Sequence, residues 1–159
     1  MEHAVEATLT VNGTRVTRRI APRTHLVDFL RDELGLTGSH IGCEQGVCGA
    51  CTVRVNGEIV RGCLMLAVQA DGCTVDTIEG LSDSQELSRL QKAFHEHNAF
   101  QCGFCTPAML IAAQELVRQK KSFTREEIRT YMSGNYCRCT GYQAIVDAVE
   151  AVLAARKNA

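Results

Sequence analysis

Eight of the nine cysteines in this 159-residue chain fall into two groups of four. The first group reads C-x4-C-x2-C-x11-C and the second reads C-x2-C-x31-C-x-C. The first spacing follows the ligand order of plant-type [2Fe-2S] sites, in which the fourth cysteine lies further along the chain. The two groups are Cys43, Cys48, Cys51 and Cys63, and Cys102, Cys105, Cys137 and Cys139. Two clusters in one short chain predict a protein that moves single electrons.

Composition and charge argue against several other classes of function. The net charge is −1 and both signs are mixed along the chain, so no basic face for nucleic acid is predicted. No stretch approaches the roughly 18 apolar residues of a membrane span. The first residues have neither a basic leader nor an apolar run, so no secretory signal is predicted. We therefore expect a cytoplasmic chain in a reducing compartment, where clustered cysteines bind metal or do redox chemistry.

The N-terminal half has the pattern of strands with one helix. Two hairpins are predicted at Asn-Gly turns, which strongly favour tight connections between antiparallel strands. A helical run follows the first hairpin and ends at a glycine. The segments are strands 7–11 and 15–20, helix 26–34, strands 51–55 and 58–61, and a last strand at 74–78. This order predicts a compact α+β domain.

The pattern becomes helical near residues 79–84, and four helices are predicted beyond that point. Thr124 with Glu127, and Thr140 with Gln143, read as capping boxes. Thr106 before a proline reads as an N-cap. We therefore predict two domains, 1–80 and 81–159, the second a four-helix domain.

Each cysteine pair of the second group directly precedes a predicted helix. A [2Fe-2S] centre with four thiolates carries a formal double negative charge, which is costly to bury unless polar groups face it. The free N–H groups and the dipole at a helix N-terminus supply such groups. Two helix ends that converge on one cluster would therefore stabilise it.

Structural zinc is the main alternative for the cysteines. The first group crowds three thiols into one loop, which favours iron–sulfur, whereas zinc sites usually combine two separate knuckles. For the second group taken alone, zinc stays open as an alternative. Cys73 belongs to neither group and is interpreted as an ordinary small residue, with a regulatory thiol as the alternative. His40 lies three residues before Cys43, and a hydrogen bond near the first cluster and a plain loop role are equally open.

Three segments resemble the iron–sulfur subunit of the molybdenum hydroxylases, the xanthine oxidase family. They are TGSHIGCEQGVCGACTV at 37–53, FQCGFCTP at 100–107 and GNYCRCTGY at 134–142. The resemblance covers nearly the whole chain, and no ligand position departs from it.

This resemblance implies an N-terminal [2Fe-2S] ferredoxin-like β-grasp domain followed by a C-terminal four-helix [2Fe-2S]-binding domain. It also implies a large molybdopterin-binding subunit, with the cofactor in its cytosine dinucleotide form, and a medium FAD-binding subunit, assembled as a dimer of heterotrimers. Gln101 and Cys139 would approach the pterin. Electrons would pass from molybdenum through the helical cluster and then the β-grasp cluster to FAD.

Two other functions stay open from the residues alone. One is a free-standing two-cluster electron carrier, although such ferredoxins are typically strongly acidic, and a net charge of −1 does not fit that pattern. The other is a zinc-stabilised interaction module without a redox role.

Overall fold

The computed structural model describes residues 4–82 and 85–157. Residues 83–84, within the predicted transition between the two halves, lie outside the described residues. Within the described ranges no helix is both long and apolar enough to cross a membrane.

The N-terminal half forms a five-stranded mixed sheet. Its strands are β1 (Val5–Val11), β2 (Thr14–Ile20), β3 (Thr52–Val55), β4 (Glu58–Arg61) and β5 (Thr74–Asp76). The spatial order is β2-β1-β5-β3-β4, with β1 and β5 parallel and the other pairs antiparallel. Both predicted hairpins are confirmed, and their Asn-Gly turns have positive φ at Asn12, Gly13, Asn56 and Gly57.

The predicted helix at 26–34 is present but is not a regular α-helix. It begins as α1 (Leu26–Asp28) and continues as a π-helix over Phe29–Glu33. Its buried side chains pack with the inward face of the sheet to form the first hydrophobic core. A helix held in the curve of a mixed sheet is the predicted β-grasp arrangement.

The second half is helical, as predicted. A short helix, α2 (Ile78–Leu81), leads into α3 (Gln85–Glu96), α4 (Thr106–Arg118), α5 (Arg125–Met132) and α6 (Gln143–Lys157). Their apolar faces form a second hydrophobic core, whose members are almost all from this half. The α+β fold with a four-helix second half is thereby confirmed.

The structure confirms one of the two predicted capping boxes. Thr124 accepts a hydrogen bond from the Glu127 N–H at 3.2 Å, and Glu127 accepts one from the Thr124 N–H at 2.7 Å. The box at Thr140 is wrong, because the Gln143 N–H donates instead to the carbonyl of Gly141 at 3.0 Å. Positive φ at Gly141 and Tyr142 displaces the start of α6 from Thr140.

The predicted N-cap at Thr106 is also wrong, by one residue. Helix α4 begins at Thr106 itself, and Cys105 occupies the N-cap position. The threonine side chain is therefore not used to cap the helix.

A buried ion pair joins the sheet to the helices. Arg54 on β3 is only 2% exposed, and its Nε donates to Oε1 of Glu115 on α4 at 3.0 Å. Its Nη2 donates to Oε1 of Gln114 at 3.2 Å. Because Arg54 lies in the N-terminal half and its partners lie in the helical half, these contacts hold the two halves in one orientation.

We expect Arg54→Ala to destabilise the chain by about 3 kcal/mol, because it leaves the mostly buried Glu115 carboxylate with only the more exposed Arg118, at 3.5 Å, as a cationic partner. Urea denaturation of the anaerobically purified chain, followed by circular dichroism, measures this. Lys92→Ala is the matched control, since it removes an exposed ion pair with Glu96 and should cost less than about 0.5 kcal/mol. Equal losses in both variants would contradict the role given to Arg54.

A carboxylate on the connecting helix also binds the N-terminal half. Glu79 accepts hydrogen bonds from the Gly38 N–H at 2.8 Å and from the Thr77 hydroxyl at 2.5 Å. Partial burial disfavours the carboxylate, but these hydrogen bonds outweigh it and hold the pKa of Glu79 below its ordinary value.

We expect the contribution of Glu79 to stability to be pH-dependent. Because the folded-state pKa is depressed, the contribution is complete above the unfolded value of about 4.3 and is lost as pH falls through the folded value. Wild type should therefore exceed Glu79→Gln in unfolding free energy at pH 7, and the difference should close below about pH 4. Glu96→Gln, an exposed carboxylate on α3, is the control and should show a much smaller difference. A difference for Glu79→Gln that grows on acidification would refute this.

Candidate iron–sulfur centres

The β3–β4 hairpin brings the last two cysteines of the first group together. Cys51 lies one residue before β3 and Cys63 two residues after β4. The antiparallel register pairs Thr52 with Arg61, so the two strand ends are adjacent. The Gly62 N–H donates to the Cys51 carbonyl at 3.1 Å, which closes the pair, and both thiols are buried.

The other two thiols of this group lie on the loop before β3. The N–H groups of Cys48 and Gln45 donate to Cys43 Sγ at 3.3 and 3.4 Å. These hydrogen bonds lower the pKa of the Cys43 thiol to about 6. By contrast, burial and the neighbouring Cys63 raise the pKa of Cys51 to about 11.

Two glycines allow the loop to wrap this closely. A side chain at Gly42 would place its Cβ 2.9 Å from Cys48 Sγ. Gly49 has a φ of +76°, and a Cβ there would lie 2.9 Å from the Gly134 carbonyl oxygen of the helical half. The loop therefore requires glycine at both positions, one against sulfur and one against the neighbouring domain.

The second group is built from two helix starts. Cys102 and Cys105 precede α4, and Cys137 and Cys139 precede α6. Cys139 Sγ lies 3.5 Å from Cys102 Sγ, and both residues are exposed. Cys105 and Cys137 form the inner pair, and burial together with the adjacent Cys137 raises the pKa of Cys105 to about 12.

Hydrogen-bond donors face one thiol of this inner pair. Thr140 donates to Cys137 Sγ from its hydroxyl at 3.1 Å and from its N–H at 3.4 Å. Burial disfavours the Cys137 thiolate, but these donors and the Cys139 N–H outweigh it and lower the pKa of Cys137.

The thiols of each group are thus arranged as two close pairs. Within residues 4–82 and 85–157, no three or more Cys, His, Asp or Glu side chains gather tightly enough to hold one metal ion. A two-iron cluster needs only two thiolates on each iron, so paired thiols fit it. Burial first, and then the neighbouring thiols, raise the pKa of Cys51 and of Cys105, and the positive charge of bound iron would offset both effects.

The two cysteine groups are in direct backbone contact. The Tyr136 N–H, one residue before Cys137, donates to the Cys48 carbonyl at 2.8 Å. Asn135 is buried beside it, and its side-chain amide donates to the Gly49 carbonyl at 3.0 Å. Sequence reasoning missed Asn135, whose partner is 86 residues away.

A second bridge joins the two cysteine loops through His40. Its Nδ1 lies 2.7 Å from the Phe104 carbonyl oxygen, which can only accept, so Nδ1 carries the proton. The imidazole also stacks on the Phe104 ring with centroids 4.5 Å apart. Of the two roles open for His40, the structure favours a hydrogen bond between the cluster loops.

Of the remaining sequence-predicted residues, Gln101 is exposed and Cys73 is half-buried against the first hydrophobic core. Gln101 is exposed beside Cys102, on the side where Cys139 is also exposed. Its predicted approach to a pterin stays a prediction. Cys73 lies apart from both groups, and the side-chain amide of Asn56 contacts its sulfur at 3.3 Å.

Two family models match the chain in this order. The model described as "2Fe-2S iron-sulfur cluster binding domain" matches residues 9–72, and the model described as "[2Fe-2S] binding domain" matches residues 77–150. Caffeine dehydrogenase subunit gamma of Pseudomonas sp. (strain CBB1) is 52% identical over 91% of this chain and 88% of its own length. Nicotine 6-hydroxylase small subunit of Paenarthrobacter nicotinovorans is 52% identical over 91% of this chain and 87% of its own length.

The chain belongs to the small [2Fe-2S] subunits of the xanthine oxidase family of molybdenum hydroxylases.

A solved structure supports this membership. The crystal structure of quinoline 2-oxidoreductase from Pseudomonas putida 86 contains a chain that matches with a TM-score of 0.89 at 48% identity. The match covers 98% of this chain and 97% of that chain. The family resemblance and the fold predicted from the three cysteine segments are therefore confirmed.

We expect Cys63→Ser to remove about half of the bound iron and acid-labile sulfide and one of two EPR signals, because it deletes one ligand of the first group. Iron and sulfide analysis and EPR of the anaerobically purified chain measure this. Cys73→Ser is the matched control and should leave both signals intact. Loss of a cluster from Cys73→Ser, or none from Cys63→Ser, would show that the ligands are assigned incorrectly.

Proposed function

We propose that this chain is the electron-transfer subunit of a molybdenum hydroxylase, and that it relays electrons from a molybdopterin centre in a large subunit to FAD in a medium subunit. Each [2Fe-2S] cluster supplies one-electron chemistry when it is bound. The chain itself supplies no residues for substrate turnover. Its part is to hold two redox centres close together and to expose each to one partner.

The observation that carries this proposal is the hydrogen bond between the two cysteine segments. The Tyr136 N–H donates to the Cys48 carbonyl. Cys48 belongs to the first cysteine group, and Tyr136 directly precedes Cys137 of the second. Two centres held in such contact form a relay, whereas a structural zinc module would gain nothing from it.

We propose the following ligands on the basis of spacing and paired thiols. The β-grasp centre takes Cys43, Cys48, Cys51 and Cys63, and the helical centre takes Cys102, Cys105, Cys137 and Cys139. We also propose that the two cores correspond to domains 1–80 and 81–159. Because none of the nine cysteines forms a disulfide, a reducing compartment such as the cytoplasm suits the chain, and that location stays a prediction.

Exposed apolar residues support two separate partner surfaces. Of the six large apolar side chains that are exposed in the described residues, five lie within two residues of a cluster cysteine: Val47, Leu64, Phe100, Phe104 and Tyr136. Exposed apolar patches of this kind mark interfaces. A transient soluble carrier would instead rely on charge for docking.

We assign the two surfaces by the centre that each flanks. Leu64 (64% exposed) follows Cys63, so its surface would face the FAD subunit. Tyr136 (54% exposed) precedes Cys137, and the exposed Cys102 and Cys139 lie on that centre, so this surface would face the molybdopterin subunit. Gln101 belongs to the same surface, which is the basis for placing it near the pterin. The cytosine dinucleotide form and the dimer of heterotrimers are proposed from the family alone.

We expect Leu64→Glu to reduce bound FAD roughly tenfold while molybdopterin is retained, because a buried unpaired carboxylate opposes docking. Tyr136→Glu should instead reduce bound molybdopterin roughly tenfold while FAD is retained. Native anaerobic purification through a tag on this chain, with FAD and molybdopterin analysis, measures both. Val5→Glu is the matched control, since Val5 is equally apolar and exposed on β1 but is distant in sequence from every cluster cysteine.

The same purification separates the alternative function. A free-standing carrier would elute alone at 17.4 kDa with both clusters and neither partner cofactor. That result would overturn the proposed subunit role while leaving the cluster assignment in place.

A further inference from the structure

A threonine follows each cysteine pair of the helical domain. Thr106 comes directly after Cys105, and Thr140 comes directly after Cys139. Sequence reasoning assigned both to helix capping, and neither hydroxyl caps a helix in the predicted way. Both side chains are therefore available for another role beside the same group of thiols.

The hydroxyl of Thr140 has a defined direction. Its oxygen accepts a hydrogen bond from the Tyr142 N–H at 3.2 Å. Its proton is directed away from that N–H, and Cys137 Sγ lies 3.1 Å from the hydroxyl oxygen. Because a hydroxyl has a single proton, Thr140 donates to the sulfur.

The hydroxyl of Thr106 lacks a partner. Its oxygen is buried and makes no hydrogen bond with any of the described residues. Such a buried hydroxyl costs about 1–3 kcal/mol when it stays unpaired. Its N–H donates to the Gly103 carbonyl at 3.1 Å, so the residue is held at the turn between Cys102 and the start of α4. A sulfur acceptor at this position would remove the cost.

We propose that the hydroxyls of Thr140 and Thr106 both donate hydrogen bonds to sulfur atoms of the helical-domain centre and thereby raise its reduction potential. This inference rests on the proposed function, since it requires a [2Fe-2S] cluster at that centre. The acceptor of Thr140 is Cys137 Sγ, and the acceptor of Thr106 is a thiolate or sulfide of the same centre. Both threonines are positioning residues that act through sulfur.

The direction of the effect follows from charge. Reduction adds one negative charge to a centre that is already anionic. A hydrogen bond to sulfur strengthens as that charge grows, so it stabilises the reduced form more than the oxidised form. Loss of either donor should therefore lower the potential of this centre and leave that of the β-grasp centre unchanged.

The test is an EPR-monitored redox titration of the intact complex, purified anaerobically. At the wild-type midpoint potential, Thr140→Val and Thr106→Val should each lower the ratio of reduced to oxidised helical centre about fivefold, as expected for one hydrogen bond of about 1 kcal/mol. A tenfold change in that ratio corresponds to 59 mV for one electron. Thr140→Ser and Thr106→Ser keep the hydroxyl and should return the ratio to within about twofold of wild type.

Two matched controls separate this effect from general damage. Thr124→Val removes a true helix-capping hydroxyl on α5, so it tests whether a lost cap alone shifts the potential. Ser39→Ala removes another buried hydroxyl that lacks a partner among the described residues, but one that lies before the first cysteine group. Neither should change the potential of the helical centre.

Iron and sulfide analysis comes first, so that failure of the proposed function can be distinguished from failure of this inference. A wild-type chain without clusters would overturn the proposed function itself. Complete clusters in both valine variants with unchanged potentials would overturn only this inference. Where a valine variant loses its cluster, the smaller alanine variant takes its place. If that also fails, ENDOR of the wild-type helical centre decides. Exchangeable proton couplings that the N–H groups of Thr140 and Cys139 account for in full, with none left for a hydroxyl, would contradict the proposal.

Discussion

The hydrogen bond from the Tyr136 N–H to the Cys48 carbonyl is the contact on which the arrangement of the molecule depends. Each partner lies in a loop that contains cysteines of one group, so the bond holds one cysteine loop against the other. Electron transfer is steeply dependent on distance, and small relative motions of two domains would change its rate. Asn135 adds two further contacts at the same junction, because its buried side-chain amide donates to the Gly49 carbonyl and to the Thr52 hydroxyl.

Several buried polar groups lie at the junction between the two halves, although each half has an apolar core. Arg54, Gln114 and Asn135 are all buried there. An apolar interface could slide, whereas hydrogen bonds with fixed geometry permit one orientation. Buried polar groups seldom add much net stability, but they discriminate strongly between arrangements. We interpret the junction as a device that sets orientation, with stability supplied by the two cores.

Local chemistry explains which parts of this structure the sequence predicts well. Both hairpins were predictable because Asn-Gly favours positive φ whatever lies around it. The four main helices were predictable from their apolar period. Contacts across the junction were not, since Glu115 lies 61 residues from Arg54 and nothing near either residue indicates the other. An arginine in a short strand reads locally as solvent-facing.

The misread threonines show a different limit of sequence reasoning. Thr140-x-x-Gln143 satisfies the capping-box pattern, yet a thiolate competes for the same hydroxyl and positive φ at Gly141 and Tyr142 moves the helix start. The capping-box pattern assumes that the threonine side chain hydrogen-bonds the first turn of the helix and has no better partner nearby. Beside Cys137 that assumption fails, because its sulfur accepts hydrogen bonds from both the hydroxyl and the N–H of Thr140.

The similarity of this chain to its relatives bears on whether the subunit contributes to substrate choice. Two subunits whose names specify different substrates, caffeine and nicotine, are each 52% identical to this chain. If this subunit contributed to substrate choice, equal similarity to both would be unexpected. The proposed role as an electron-transfer subunit would explain that similarity. Under the proposed function, the cysteines, the glycines that let them approach and the polar junction serve electron transfer, while a partner subunit recognises the substrate.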